Sequence, residues 1–467
     1  MSNPIHLETD YLIIGAGAVG MAFADTLIAE TDATVVIVDR MAKPGGHWNI
    51  AYPFVTLHQP SAYYGVNSVE LSKGRKDPAG WNQGLGDLAS GTEVLAYFED
   101  VMRHRLLPSG RVRYFPLCEV EGDDGFVNRL TGQRYTLDVR RKTVDATWLK
   151  TTVPANHTPS YAVADGVRFM PVNGLPTLAA QPAGFVVVGG GKTGIDACLW
   201  LLEHGVDPDH IRWIMPRDAW LLDRQNTQAS DEFFGSTVGG IAAQYEAAAA
   251  ATDIEDLFDR LETAGLLLRI DPTVRPRMFH GATVSRMELE QLRRIRNVIR
   301  MGRVQRIERD RIVLDGGELP TSAGHVHVDC SASAIGNLAM RPIFEGKRIT
   351  PQTVRSYQPV FSAAFVAHVE ATYADEAQKN RLCGVVPLPN HDTDWIRMML
   401  AMSLNQYHWS KEPGIGRWLV ESRLDAVSKM LKGIQPHETD KQAIVARLQR
   451  AAPAAMTNLQ RLAAEIA

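Results

Sequence analysis

The sequence predicts an α/β chain built on two Rossmann-like βαβ units, each shaped to hold a dinucleotide, with a helical insertion in the second. Two observations carry this. A short buried strand, a GxGxxG turn and a helix occur in succession at Gly15, Gly17 and Gly20, and again at Gly189, Gly191 and Gly194. One such motif is weak evidence, since glycine turns also serve plain strand-to-helix connections, but two units far apart in one chain are hard to explain by turn chemistry. The alternation of strands and helices breaks from Ser230 to about Arg269, where Ala247 to Ala251 and then Ile254, Leu257, Phe258 and Leu261 have helical spacing.

In chain order, Tyr11 to Ile14 is continuously apolar, as a strand covered on both faces requires. Gly15 permits the tight turn, Gly17 lets a backbone approach a pyrophosphate, and Gly20 lets the next helix lie close on the strand. That helix starts near Ala18 and points its free N–H groups at the place where phosphates would sit. The second strand, Thr34 to Val38, ends in Asp39, an acid spaced to meet ribose hydroxyls or to serve as a strand-end turn residue.

Composition limits the function. A chain of 467 residues with 22% charged residues and a net charge of −4 is an ordinary globular protein of two or three domains with no polyanion partner implied, so nucleic acid is not expected. Cys118, Cys198, Cys330 and Cys383 form no CxxC pair, which argues against a redox dithiol or a zinc ribbon and for a reducing compartment. No leader pattern opens the chain and no apolar run approaches the span of a bilayer, so the cytoplasm is the expected location and no membrane is implied.

After Asp39 come Gly45-Gly46-His47-Trp48 and Leu57-His58-Gln59-Pro60-Ser61. With GAGAVG and the acid before them, these stretches resemble the N-terminal part of the FAD-dependent flavin-containing and Baeyer–Villiger monooxygenases, which carry a GGTW-like stretch and then a segment reading roughly YPG-x-x-L-D-x-P-S. The resemblance implies the two-dinucleotide-binding flavoprotein type, with Gly45, Gly46, Trp48 and Gln59 as FAD contacts; read without it, Gly-Gly is a flexible turn and Trp48 a core aromatic. His58 stands where those families often have an acid near the reactive edge of the flavin. An imidazole there can donate a hydrogen bond or move a proton, or simply be a satisfied loop histidine.

Asn67 to Asp87 reads as a surface loop, Gly91 to Leu106 as a helix, and Val112 to Ala146 as a β-meander. Asp145-Ala-Thr-Trp148 stands at the family's first ATG-type segment, without the glycine.

The second unit runs from Phe185 through Gly194 to a strand at Ile211 to Met215. The Gly191-Lys192-Thr193 triplet is not an NTPase loop, because Val186 stands where that loop needs a glycine. Lys192 and Thr193 instead adjoin the expected pyrophosphate, although Lys192 could equally be solvated on the first helical turn. The strand is followed by Pro216-Arg217-Asp218-Ala-Trp220, resembling the R-x-x-x-W stretch of the NADPH domain but one residue shorter. Arg217 suits a 2′-phosphate, favouring NADPH over NADH; Asp218 would suit a ribose diol, or pair with Arg217.

The Ala-rich insertion suits either a cap over a substrate tunnel or a subunit contact, which would make the protein a homo-oligomer. Ser285 with Glu288 forms a capping box opening a helix. Val298 to Ile307 and Arg311 to Leu314 read as a hairpin whose arginines line its wet face. Gly324 to Ser333 resembles the strand by which the class returns to its FAD domain, with Asp329 as the acid and Ala334-Ile335-Gly336 in place of ATG; His325 and His327 lack further ligands for a metal site. Pro359 to His368 resembles the late strand near the flavin pyrimidine, and Asn390 to Trp395 and Asn405 to Trp409 are candidates for the substrate end. The family's FxGxxxHxxxW/F signature is absent; Val153 to Pro159 supplies only His157.

The expected division is residues 1–165 for the N-terminal part of the FAD domain, 166–325 for the NAD(P)H domain with its insertion at about 228–270, and 326–467 for the C-terminal part of the FAD domain and a helical tail. The function implied is an NADPH-dependent flavoprotein monooxygenase that uses molecular oxygen and a C4a-peroxyflavin on a small organic substrate, with His58 stabilising the intermediate. The alternatives are an NAD(P)H-dependent reductase serving another acceptor and a flavin-binding protein without turnover.

Overall fold

The computed structural model describes residues 3–122, 125–333 and 338–466. Among them the first glycine turn sits at the centre of an eight-stranded sheet. Its parallel core runs β1 (Ile5–Ile14), β2 (Val35–Val38) and β3 (Val112–Phe115) on one side of β1, and β6 (Arg134–Asp145) on the other. β4 (Cys118–Val120) and β5 (Gly125–Asn128) form an antiparallel excursion onto β6, and β19 (Phe344–Glu345) and β20 (Arg348–Ile349) extend the far edge. The 112–146 stretch is therefore only partly a meander. Its first and last strands join the parallel sheet, because Val112 and Val144 belong to the main core while the hairpin between them covers a smaller one.

The sheet is covered by α1 (Ala18–Glu30) and α7 (Pro359–Thr372), which pack on each other. The segment 359–368 is therefore a helix and not the late strand expected. Pro359 takes the first helical position, where a fixed φ and a missing N–H cost nothing, and every residue from Val360 to Val369 is buried. A helix buried all round shows no 3.6-residue alternation, so its apolar run reads like a strand. α2 (Gly91–Val101) is held by a complete Ser90/Glu93 capping box and continues into a π-helical turn, Met102–Leu106.

The second sheet is parallel, in the order β14 (Val298–Ile299), β10 (Ile211–Ile214), β9 (Gly184–Val188), β18 (His325–Asp329), β8 (Phe169–Pro171). Two expectations change here. Val298 and Ile299 pair with β10 instead of entering the hairpin, which is confined to β15 (Val304–Ile307), β16 (Arg311–Leu314) and β17 (Gly317–Pro320), joined at one edge by β7 (Ala162–Val163). β18 lies beside β9, so the strand expected to return to the first unit is an inner strand of the second, and a boundary at 325/326 would cut through it. α3 (Lys192–Glu203) and α6 (Arg286–Leu292) pack together in the second unit; Ser285 and Glu288 make the capping box on α6.

A three-stranded sheet of β12 (Leu267–Leu268), β11 (Ala219–Asp223) and β13 (Met278–Val284) bridges towards the insertion helices α4 (Phe234–Ala250) and α5 (Ile254–Thr263). After α8 (Glu376–Leu382), α9 (Asp394–Ser410), α10 (Pro413–Glu421) and α11 (Ala426–Lys432), the helix α12 (Thr439–Ala464) lies along α4. Asn458 donates to the carbonyls of Ala248 (2.8 Å) and Ala251 (2.7 Å), supplying partners that the end of α4 lacks. The insertion thus packs within its own chain, over a core shared by Trp220, Ala248, Phe258, Trp395 and Leu459.

Candidate functional site

The two glycine turns repeat one geometry. Gly15 has φ +100° and Gly189 φ +129°, in the left-handed region that favours glycine, and each donates its N–H to the neighbouring strand, to Val38 at 2.8 Å and to Ile214 at 2.9 Å. A Cβ on Gly20 would lie 2.0 Å from the carbonyl oxygen of Gly15, and one on Gly194 would lie 2.0 Å from that of Gly189. The middle glycines differ in kind. Gly17 and Gly191 are N-caps with φ −77° and −84°, which any residue adopts; a Cβ on Gly17 would touch only Gly46, at 3.5 Å, and one on Gly191 would meet nothing within 4 Å. Neither α1 nor α3 has a side-chain cap, so the first N–H groups of both helices remain available to a ligand.

The turns after the following strands repeat as well. Asp145 Oδ1 accepts from Thr147 N (3.1 Å) and Oγ1 (2.7 Å), and Asp329 Oδ1 accepts from Ser331 N (3.1 Å) and Oγ (2.6 Å). Each turn backs the first glycine of its own unit. Asp329 is further bonded to the Tyr161 hydroxyl at 2.9 Å, so it closes a turn in the second unit instead of reaching the first. Gly336 lies outside the described residues.

Around the first turn, Asp39 is buried at the end of β2 and accepts the amides of Ala16 (2.5 Å) and Met41 (2.6 Å). Burial pushes its carboxyl above the usual range, against the pull of those two amides. Gly45 (φ +113°) and Gly46 (φ +58°) turn the chain back, and Gly45 donates to Ala16 at 2.9 Å. The chain then runs straight into His47 and Trp48, which line a cavity.

That cavity, about 1460 Å³, lies between the two units and exceeds what one small ligand fills. Its first wall carries Trp48, His58, Gln59 and Tyr64, and its second the turn from Gly189 to Thr193 with Arg217. A third comes from His280, Tyr357, Asn390 and Asp394. Asn405 and Trp409, expected at the substrate end, are instead buried structural residues: Asn405 donates to Val354 and Gly384, and Trp409 to Leu382.

His58 is held by the second unit. Thr283 N–H donates to its Nδ1 at 3.4 Å, and Arg224 Nε donates to its backbone carbonyl at 3.0 Å. Burial, then the nearby Lys192 and Arg224 cations, hold its pKa well below the ordinary value, so the ring is neutral and its Nε2 carries the proton. Arg224 is itself buried against Glu288 at 2.8 Å, a pair whose rupture would cost about 3–5 kcal/mol.

Lys192 is half-buried and not free: its ammonium pairs with Asp196 one turn on, and Asp196 also accepts the Tyr52 hydroxyl at 2.6 Å. Arg217 does not pair with Asp218. Asp218 is buried in a bidentate pair with Arg300, at 2.8 and 3.0 Å, which removes the one acid expected to compete for a ribose diol. Among the described residues Arg217 keeps one long bond, to Asn390 at 3.4 Å, and it lies close enough to Arg303 for the two cations to disfavour each other.

Arg303 lines the cavity and was not singled out by sequence; as one arginine among several in a hairpin it carries no motif. Its backbone amide donates to Asp315 at 2.7 Å, next to Gly302 (φ +81°). Arg300 and Tyr357 escaped notice for the same reason. Among the described residues there is no metal-type cluster of histidines, cysteines or acids, all four cysteines are buried and free, and no helix is long and apolar enough to cross a membrane.

No protein-family profile matches the chain. The Uncharacterized protein Rv2000 of Mycobacterium tuberculosis (strain H37Rv) and the Uncharacterized protein Mb2023 of Mycobacterium bovis are each 50% identical to it over 444 residues, covering 95% of this chain and 82% of theirs. Among solved structures, the polycyclic ketone monooxygenase of the thermophilic fungus Thermothelomyces thermophila superposes with a TM-score of 0.52 over 99% of this chain and 89% of that one, at 13% identity. That likeness is one of fold, and it spans both dinucleotide units.

Proposed function

The chain belongs to the family of these mycobacterial proteins, and from that premise and the site geometry we propose that it is an FAD- and NADPH-dependent oxidoreductase, specifically a monooxygenase acting on a small organic molecule. One observation carries the reading: a single cavity is lined both by the second glycine turn and by the aromatic wall that continues from the first. Flavin bound on one side and nicotinamide on the other would supply hydride transfer and activation of oxygen within the same chamber.

The residues present fit both groups. Gly15, Gly17 and Gly20 with Asp39, Gly45 and Gly46 would hold FAD at the N-terminus of α1, with Trp48 and Gln59 along the ring. Gly189, Gly191, Thr193 and Gly194 would hold the pyrophosphate of NADPH, for which an empty quarter beside Gly191 leaves room. Arg217 and Arg303 favour the 2′-phosphate, and the engagement of Asp218 by Arg300 disfavours NADH. His58, neutral with its proton on Nε2, would donate a hydrogen bond where an acid could only accept one, stabilising negative charge as it develops.

Rapid anaerobic mixing of the FAD-loaded protein with NADPH, followed by oxygen, tests the proposal through the flavin's visible absorption. Bleaching by NADPH and recovery with oxygen, together with an oxygenated product, is the expected result. Failure of both NADPH and NADH to bleach bound flavin would refute the nicotinamide role; bleaching without oxygenated product would leave a reductase.

A further inference from the structure

On the first unit's side of the cavity most polar side chains find partners within the protein. Trp48 Nε1 donates to the Tyr64 hydroxyl at 2.7 Å, Tyr63 donates to the carbonyl of Gln228 at 2.9 Å, and Tyr52 donates to Asp196 at 2.6 Å. His47 is the exception that matters. Its ring lines the cavity and stacks on Trp48, centroids 5.5 Å apart and planes 26° from parallel, and among the described residues neither ring nitrogen has a hydrogen-bond partner. It is the second residue of the short turn Gly46–Ile50, so the double glycine, with both residues at positive φ, delivers this imidazole to the wall. Burial holds its pKa down to about 4, which keeps the ring neutral, with one donor and one acceptor nitrogen. The ring is half-buried and its nitrogens stay open to the cavity, so its donor is free for a ligand bound there.

We propose that His47 donates a hydrogen bond from its neutral ring to the heteroatom edge of bound flavin and so favours the reduced cofactor. This rests on the FAD reading given above and adds to it a second imidazole besides His58. Reduced flavin carries more negative charge on its ring nitrogens and carbonyl oxygens than oxidised flavin, so a fixed donor there binds the reduced form more tightly. The effect expected from one such bond is about tenfold in the ratio of the two affinities, or about 30 mV for a two-electron couple.

The test compares wild type, His47→Phe and His47→Gln, each loaded with FAD, by equilibration with a reference dye and by thermal melting. Phenylalanine keeps the stacking on Trp48 and removes the donor, whereas glutamine keeps a donor of similar reach. The proposal expects a potential lowered by about 30 mV in His47→Phe and restored towards wild type in His47→Gln, with all three melting alike. Equal potentials in wild type and His47→Phe would overturn it and leave His47 as a stacking residue. Wild-type protein that retains no FAD would overturn the flavin reading itself, and the inference with it.

Discussion

Gly191→Ala and Gly194→Ala, three residues apart on one turn, should fail in opposite ways. At Gly191 the backbone φ is −84° and a methyl group would meet no protein atom within 4 Å, so the ligand-free fold should accept it. Alanine is a poorer N-cap than glycine by several tenths of a kcal/mol, and the stiffer unfolded chain returns about 0.4–1 kcal/mol, so the net change in stability should be under about 1 kcal/mol. That corresponds to a melting shift of no more than about 3 °C. NADPH binding should nevertheless fall by at least about tenfold, because the methyl occupies the approach to the expected pyrophosphate. At Gly194 the added Cβ would lie 2.0 Å from the carbonyl oxygen of Gly189, and α3 must move off its strand. A cost of about 1–3 kcal/mol or more, with a clearly lowered melting point, is expected there. Titration calorimetry with NADPH and thermal unfolding without it measure the two effects separately. Wild-type NADPH affinity in Gly191→Ala would refute the assignment of this turn to the nucleotide.

Arg303→Ser should weaken NADPH about five- to tenfold at low salt and much less at high salt, while NADH binding, followed by the same calorimetry, stays put. Arg300→Leu strips Asp218 of its bidentate partner inside the protein and should cost about 3 kcal/mol in urea unfolding, as a buried charge left unpaired does. For acid stability the sign follows from His47 and His58, whose folded pKa values lie below the ordinary 6.5, at about 4 for His47. The unfolded chain binds these protons first, so their contribution is full above pH 6.5 and is lost as pH falls towards 4, by about 3 kcal/mol for His47 at most. Urea unfolding of His47→Gln at pH 7.5 and 5 should show a flatter pH dependence than wild type; equal slopes would show that the ring is not kept neutral by the fold.

What the sequence revealed is what the backbone decides locally. Gly15 and Gly189 must turn with positive φ, and Gly20 and Gly194 must admit a carbonyl, so both pairs are visible as spacing alone. The capping box at Ser285 is visible for the same reason, its two bonds spanning only three residues. Long-range partnerships are invisible. Asp218 finds Arg300 82 residues away, Arg217 finds Asn390 173 residues away, and the Asp315 carboxylate that accepts the Arg303 amide follows the opposite strand of a hairpin. The 359–372 helix was obscured by the opposite difficulty, since complete burial erased the periodicity that distinguishes helix from strand.

The chamber's shape depends on how firmly the two units are joined, and the joints lie at the residues that line it. A lysine in the first turn of α3 opposes the helix dipole and is paired there with Asp196, whose second partner, Tyr52, belongs to the first unit. From Tyr52 a ladder of rings continues through Phe54 to Trp200 on α3, with centroids 5.0 Å apart at each step. On the other flank Arg224 holds the carbonyl of His58, the side chain of Asn82 and the carbonyl of Thr283 at once. The wall bearing His58 and the turn bearing Lys192 are thus fixed to one another before any ligand enters, and little of the binding free energy need be spent on bringing the two dinucleotide sites together.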